Sequence, residues 1–241
     1  MAVKVIITRA APGQVQTARN IAQQGLVPVS APMLQLYARD VSLPDLTDHA
    51  GLLFTSANGV RFFVERVSAP ATHESLIAFC VGPATLAAAR EAGFARCENA
   101  NGNAQDLAEL VQTKLTPADG RLLHVANAAA AGNLAKTLQA GGFEVDFVAL
   151  YAADPAREPS ETVAQLLAGD EPVVVLVHSA KGAEAFKKLY KLPTDAPHVL
   201  VAVSRNAAAP LAEFGFANVQ ISRRPNERAL LACLLLTCTT L

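Results

Sequence analysis

Two stretches of the chain decide its fold: LLFTSANGVRFF at residues 52–63 and VLVHSAKGAEAF at residues 175–186. Each begins as a continuously apolar run, passes through a short turn containing serine and glycine, and continues with apolar residues at helical spacing. A buried strand that leads through a small-residue turn into an amphipathic helix is typical of a parallel sheet with helices on both faces. The two stretches therefore predict an α/β protein.

The similarity between these stretches extends along the chain. Ser56, Ala57, Gly59 and Phe63 recur 123 residues later as Ser179, Ala180, Gly182 and Phe186. The segments FCVGPATLAAAREAGF (79–94) and VAVSRNAAAPLAEFGF (201–216) match at an offset of 122. Offsets that cluster near 120 residues indicate two copies of one unit. Convergence is the alternative, because shared alanines and glycines are common in such folds.

Composition bounds the classes of function. The chain has 241 residues, of which 51% are hydrophobic and 17% charged, enough apolar material for two buried cores. Its net charge of −1 disfavours a general nucleic-acid binder. No run of 18 apolar residues exists, so we expect no membrane span. The opening MAVKVIITRA enters a predicted strand without a cleavable signal, so we expect a cytoplasmic protein.

Strand-like runs alternate with alanine-rich helical stretches. Ten runs are predicted as strands: 3–8, 26–31, 51–55, 77–81, 95–98, 121–126, 144–150, 173–178, 199–203 and 217–221. Segments rich in Pro and Asp follow the second strand of each copy, as expected where a chain crosses between domains. Either each copy folds alone, or the chain leaves the first domain at one crossing and returns at the other. The residues leave both arrangements open.

The turns after the predicted strands carry small polar residues. In parallel sheets ligands bind beyond the carboxyl ends of the strands, where backbone N–H groups and helix dipoles attract anions. Any one of these residues alone is more simply explained as a helix cap. Together they predict a binding site for a ligand with many carboxylates or phosphates. The candidate substrate-binding residues are Thr8, Arg9, Ser56, Asn58, Gly82, Thr85, Asn127, Ser179, Ala180, Lys181, Ser204 and Asn206.

Several common catalytic motifs are missing. The first strand is followed by no G-x-G-x-x-G, and the chain has no P-loop and no G-x-S-x-G turn, so we expect no dinucleotide and no serine nucleophile. The four cysteines form no metal-binding spacing, so we expect no metal and no cofactor. We interpret His124, inside a strand, as a core residue with satisfied hydrogen bonds, and leave His178 open between core and ligand site.

Two tyrosines, Tyr37 and Tyr151, occupy equivalent places at the two crossings. An amphipathic ring suits a hinge, which is the simpler interpretation. A phenol at such a place could also donate a hydrogen bond to a ligand, and we consider this function for Tyr151 more than for Tyr37.

The opening VIITRA, the segment FTSANGV, the segment VGPATLAAAREAGF and the return GGFEVDFVALYAAD resemble the uroporphyrinogen-III synthase family over essentially the whole chain. The resemblance implies two Rossmann-like or flavodoxin-like parallel-sheet domains joined by a two-stranded linker. It also implies the crossed arrangement, with 1–35 and 155–241 in one domain, 40–149 in the other, and linkers at 36–39 and 150–154.

The resemblance implies a reaction as well. These enzymes are lyases that cyclise hydroxymethylbilane, a linear tetrapyrrole with eight carboxylates, to uroporphyrinogen III with inversion of ring D and loss of water. Tyr151 matches the family's linker tyrosine, the candidate to assist departure of the hydroxyl. The expected partners are this substrate and, transiently, hydroxymethylbilane synthase, and the expected state is a monomer.

The chain departs from the family at two places. Ala207 stands where many members have threonine, and the loop ANAAAAGN (126–133) lacks the arginine and glycine often found there. These departures keep two alternatives open: a non-catalytic two-domain protein that binds a small polyanion, and a regulatory or scaffold module of the tetrapyrrole pathway.

Overall fold

The computed structural model describes residues 2–67, 75–130 and 133–241. The strands in these ranges are β1 (Lys4–Ile7), β2 (Val27–Ser30), β3 (Leu34–Ala38), β4 (His49–Phe54), β5 (Ile77–Cys80), β6 (Arg96–Asn99), β7 (Arg121–Asn127), β8 (Val145–Pro155), β9 (Val173–Val177), β10 (Val199–Ala202) and β11 (Asn218–Ile221). The helices are α1 (Gly13–Gln23), α2 (Ala57–Arg66), α3 (Pro83–Glu91), α4 (Ala104–Lys114), α5 (Asn133–Ala140), α6 (Glu161–Ala168), α7 (Ala180–Leu189), α8 (Arg205–Ala208) and α9 (Glu227–Cys238).

The chain divides into two compact units. Unit 1 comprises Met1–Leu36 and Ala153–Leu241, and unit 2 comprises Tyr37–Ala152. The chain therefore passes from one unit to the other inside β3 and again inside β8. These two strands are neighbours, and the hydrogen bonds from the Arg39 N–H to Leu150 and from the Ala156 N–H to Met33 show that they run antiparallel.

Both sheets have the same strand order. Unit 1 has the order β11-β10-β9-β1-β2, and unit 2 has β8-β7-β4-β5-β6 with β3 added at its edge beside β8. Apart from β3, the neighbouring strands are parallel. Each sheet combines the first two strands of one sequence copy with the last three of the other, in the 2-1-3-4-5 order of flavodoxin-like folds. The expected α/β class with two parallel sheets is confirmed.

Each sheet is buried on both faces. In unit 1 one core forms around Phe186 and Val175, and the opposite core around Ile21 and Leu230. Unit 2 likewise has one core around Phe54 and Phe63 and a second around Leu107 and Leu122. This burial explains why β9, with the sequence VVVLV, is apolar at every position.

The sequence patterns missed one strand. β3, with the sequence LQLYA, has no fully buried residue and therefore lacks the apolar run that marks the other strands. β8 also continues to Pro155, five residues beyond the predicted end. Both corrections concern the crossings, where Pro and Asp suggested irregular chain although the backbone pairs as a ribbon.

Candidate functional site

The carboxyl edge of the unit 2 sheet begins with the turn after β4. Ser56 is the N-cap of α2, with an extended backbone at φ −157° and ψ 153°. Its Oγ accepts a hydrogen bond from the Gly59 N–H at 3.1 Å. Gly59 is buried against the Val125 carbonyl, which a Cβ at this position would approach to 3.1 Å. The turn therefore depends on both residues, because one caps the helix and the other allows it to lie close to β7.

Tyr151 lies at the same edge, in β8 opposite Asn127 of β7. Its hydroxyl is 2.7 Å from Ser56 Oγ, and its ring stacks on Phe62 with the centroids 4.9 Å apart and the planes within 7°. The side chain is buried, with 5% of the residue exposed. Burial raises the pKa of the Tyr151 phenol above its ordinary value of 10, while the hydrogen bond with Ser56 acts in the opposite direction. The phenol is therefore protonated at neutral pH.

The helix that Ser56 caps also carries a cationic side chain, Arg61. Arg61 donates from Nη1 to the Oδ1 of Asn58 at 3.1 Å, and both side chains are half-buried. The amide of Asn58 thus orients the guanidinium on the first turns of the helix that Ser56 caps. This arrangement can attract an anion to the N-terminal end of α2.

The turn after β5 differs from the serine turns. Gly82 is the N-cap of α3 and gives that helix no side-chain cap. Its backbone is extended at φ −163°, and a Cβ there would have no neighbour within 4 Å. Thr85 lies in the first turn of α3 and is only 3% exposed. Pro83 has no N–H and the Thr85 N–H donates to the Gly82 carbonyl at 3.1 Å, which leaves the Ala84 N–H for a ligand. Little of the Thr85 side chain is available.

Asn127 ends β7 and closes its own turn. Its Oδ1 accepts from the Ala129 N–H at 2.8 Å, and its carbonyl accepts from the Ala130 N–H. The side chain is thus occupied by the backbone, as the simpler capping interpretation predicts. Residues 131 and 132 of the loop that departs from the family lie outside the described residues.

Unit 1 repeats the serine turn at the equivalent edge of its own sheet. Ser179 caps α7 with φ −158° and ψ 151°, and its Oγ accepts from the Gly182 N–H at 3.1 Å. Ser204 caps α8 by accepting from the Ala207 N–H. Lys181 is exposed and donates to the Ala153 carbonyl. The predicted residues Ala180 and Asn206 occupy the first turns of these two helices.

The first strand of unit 1 ends in a partly buried polar cluster. Arg9 pairs with Glu227 at 2.9 Å and lies near Thr17, and Glu227 also contacts Nε2 of His178 at 3.1 Å. Burial would raise the pKa of Glu227, but its partners hold the pKa below the ordinary value of a glutamate. Burial lowers the pKa of His178. The charge of Arg9 is therefore already balanced by a carboxylate.

Thr8 serves the fold in the same region. It is buried, and its hydroxyl donates to the Leu176 carbonyl at 2.8 Å, which joins the ends of β1 and β9. Of the predicted binding residues, Thr8 is thus occupied by the backbone and Arg9 by an ion pair, whereas the serine turns of both units and Gly82 keep groups near the surface.

The structure adds two residues that the sequence reasoning missed. Phe62 stacks on Tyr151, and the Phe62–Phe63 pair in the repeated stretch was a usable signal because the helical spacing places only Phe63 in the core. Glu227 is 218 residues from its partner Arg9, and no local pattern connects them.

His124 corrects another expectation. It is buried as predicted, but neither of its ring nitrogens has a hydrogen-bond partner among the described residues. The edge of its ring packs against Phe147 instead. The interpretation of His124 as a satisfied core residue is therefore wrong in its hydrogen bonding.

The described ranges carry neither a candidate membrane span nor a candidate metal cluster. No helix there is long and apolar enough to cross a membrane. No group of three or more histidine, cysteine or acidic side chains there is arranged to hold a metal ion.

Comparison with known proteins gives one family. Residues 15–232 match the family model HEM4, described as uroporphyrinogen-III synthase HemD. No curated protein sequence matches the chain.

Solved structures support the fold. A uroporphyrinogen-III synthetase from Helicobacter pylori 26695 matches with a TM-score of 0.66 and 16% identity, over 98% of this chain and 99% of that one. A mutant uroporphyrinogen III synthase from the extremely thermophilic bacterium Thermus thermophilus matches with a TM-score of 0.54 and 18% identity, over the full length of both chains.

Proposed function

The chain belongs to the uroporphyrinogen-III synthase family, the lyases that form uroporphyrinogen III in haem biosynthesis, and from this premise we propose that Tyr151 donates the proton that removes the hydroxyl of hydroxymethylbilane. The observation that carries the proposal is the buried, protonated phenol at the carboxyl edge of the unit 2 sheet, 2.7 Å from Ser56. A phenol is a weak acid and a weak nucleophile, which suits proton donation without a covalent intermediate.

The proposed step balances in atoms and charge. The C–O bond of the hydroxymethyl group breaks, and the hydroxyl takes the Tyr151 proton and leaves as water. The substrate becomes an azafulvene cation beside a phenolate. Ring D attacks this cation through its substituted carbon, forms the spiro intermediate and re-closes inverted. Substitution at ring D releases one proton, which returns the phenolate to the phenol.

The enzyme's main contribution in this scheme is to position the reactive substrate. The azafulvene is reactive without help, so the protein must favour the inverted closure over the direct one. Backbone N–H groups at the turns of both units suit the eight carboxylates of the substrate. The proposed contacts are Asn58 and Gly82 in unit 2, and Ala180, Lys181, Ser179, Ser204 and Asn206 in unit 1, with smaller contributions from Thr85, Asn127, Thr8 and Arg9.

The alanine at position 207, where many family members have threonine, has little effect on the proposed binding of the substrate. Ala207 is the counterpart of Thr85, and both positions are almost fully buried, at 2% and 3% exposure. A hydroxyl that is buried at this place adds little direct contact with a ligand. The non-catalytic alternatives are not favoured, because the family model matches 15–232, which includes both serine turns and Tyr151.

The finer expectations on partners are part of the same proposal. We propose a cytoplasmic monomer that receives its unstable substrate from hydroxymethylbilane synthase in a transient encounter. The charge of −1 supports reliance on local cations rather than on a general attraction for the polyanion.

The test is the variant Tyr151→Phe, which keeps the stacked ring and removes the donor. We expect kcat to fall about ten- to a hundredfold, as for the loss of one acid–base contribution. The melting temperature should change little. Tyr37→Phe is the control and should keep wild-type turnover, since Tyr37 is exposed at the other crossing. Wild-type turnover in Tyr151→Phe would refute the proposed role.

A further inference from the structure

The hydroxyl of Tyr151 has a defined neighbour in Ser56, and at their separation of 2.7 Å either hydroxyl can donate. Ser56 Oγ already accepts from the Gly59 N–H at 3.1 Å. Its second lone pair and its proton both remain available to the phenol, whose oxygen lies 2.7 Å away. If Ser56 donates, the Tyr151 proton remains available to a substrate.

Helix α2 contacts both the ring and the hydroxyl oxygen of Tyr151. Ser56 caps α2 and Phe62 lies one and a half turns further along it, stacked on the tyrosine ring at 4.9 Å with nearly parallel planes. The stack restricts tilting of the ring, and the serine restricts the oxygen. A single element thus places the phenol, and the N-terminal end of its dipole lies beside the atom that becomes negative.

We infer that Ser56 is the positioning residue of this reaction: it donates its proton to Tyr151 Oη, directs the phenol proton towards the leaving hydroxyl, and stabilises the phenolate that remains. The inference rests on the proposed role of Tyr151. It differs from the prediction that Ser56 is a substrate-binding residue, since its hydroxyl is engaged by Gly59 and Tyr151. Ser56 keeps its own proton throughout, so the balance of the step is unchanged.

The repeat supplies a matched control. Ser179 has the same capping geometry, within 2° in both backbone angles, and the same bond from a glycine N–H at 3.1 Å. Its hydrogen-bond partners among the described residues include no tyrosine. Both Ser56→Ala and Ser179→Ala should lose the stability of one cap, and Ser56→Ala should lose more in addition because it removes the hydrogen-bond partner of the buried Tyr151 phenol. This comparison uses the melting temperature alone.

The experiment is a double-mutant cycle on kcat and KM with hydroxymethylbilane. Loss of one hydrogen bond predicts that Ser56→Ala lowers kcat about three- to tenfold with KM nearly unchanged. The double variant with Tyr151→Phe should be no slower than Tyr151→Phe alone, because the serine acts through the phenol. Ser56→Thr, which keeps a hydroxyl and suits the extended backbone, should restore kcat.

A spectroscopic readout is independent of activity. With 13Cζ-labelled tyrosine, the Tyr151 resonance at neutral pH should shift in Ser56→Ala and return towards the wild-type position in Ser56→Thr. The Tyr190 resonance should not move, since its hydroxyl accepts from the Ser160 N–H in unit 1.

The results distinguish a failure of the inference about Ser56 from a failure of the proposed function of Tyr151. If Tyr151→Phe is impaired but the two substitutions multiply independently, or if a raised KM accounts for the Ser56→Ala defect, the inference about Ser56 is wrong and the proposed function stands. If Tyr151→Phe is fully active, both are wrong.

Discussion

His124 shows how a single residue links the fold of unit 2 to pH. Burial lowers its pKa from 6.5 to about 4, and its ring nitrogens have no partner among the described residues. The folded protein therefore contains the neutral ring down to about pH 4, whereas the unfolded chain takes up a proton below pH 6.5. Stability is unaffected by this group above pH 6.5 and decreases as the pH falls through this window.

The variant His124→Leu tests this linkage. Between pH 7 and pH 5 the unfolding free energy of the wild type should fall about 2 kcal/mol more than that of the variant. Denaturant titrations at both pH values measure the difference. Asp146, whose pKa the Arg121 guanidinium holds below 3.8, acts at lower pH and is common to both proteins. An identical pH dependence in wild type and variant would contradict the account.

The turns at the strand ends are the elements on which the proposed binding depends. Ser56, Ser179 and Ser204 each cap a helix with a hydroxyl, whereas Gly82 caps α3 without one. Since a Cβ at Gly82 would have no neighbour within 4 Å among the described residues, the fold itself does not require glycine there. Pro83 has no N–H and the Thr85 N–H is bonded to the Gly82 carbonyl, so the missing side chain leaves the Ala84 N–H of α3 open to a ligand.

The substitution Gly82→Ser separates binding from stability at this turn. A serine cap should leave the unfolding free energy unchanged or raise it by a few tenths of a kcal/mol. It should raise KM for hydroxymethylbilane about fivefold, because its hydroxyl competes for the Ala84 N–H that the substrate would use. Gly169→Ser, at the exposed end of α6, is the control with unchanged KM. An unchanged KM in Gly82→Ser would remove this turn from the binding site.

The sequence patterns predicted some strands and turns but not others. VVVLV at β9 and the serine turns were predictable because burial and capping leave local signals. β3 was not, because an edge strand without a buried residue has no alternation or apolar run to detect. The contacts Arg9–Glu227 and Tyr151–Ser56 join residues 218 and 95 positions apart, and only the folded sheets bring them together.

At the scale of the whole molecule, the crossed strand order makes the two units differ from the two sequence copies. β7, from the second copy, lies between β8 and β4 in the centre of the unit 2 sheet, and β9 lies beside β1 in unit 1. A cut between the copies would therefore remove β7 and β8 from one sheet and three strands from the other.

Fragments test this arrangement. Residues 37–152 contain the five parallel strands of unit 2 and should fold alone with cooperative unfolding by circular dichroism. Residues 1–120 lack β7 and should not fold. Cooperative unfolding of the 1–120 fragment would contradict the crossed arrangement.

The most direct measurement of the central claim is the isomer composition formed by the full chain from freshly made hydroxymethylbilane. Spontaneous closure without inversion gives the type I isomer, so the two isomers report on whether the protein directs ring D. We predict that the chain accelerates cyclisation and that uroporphyrinogen III is the main product. A product that remains type I, formed at the spontaneous rate, would contradict the account.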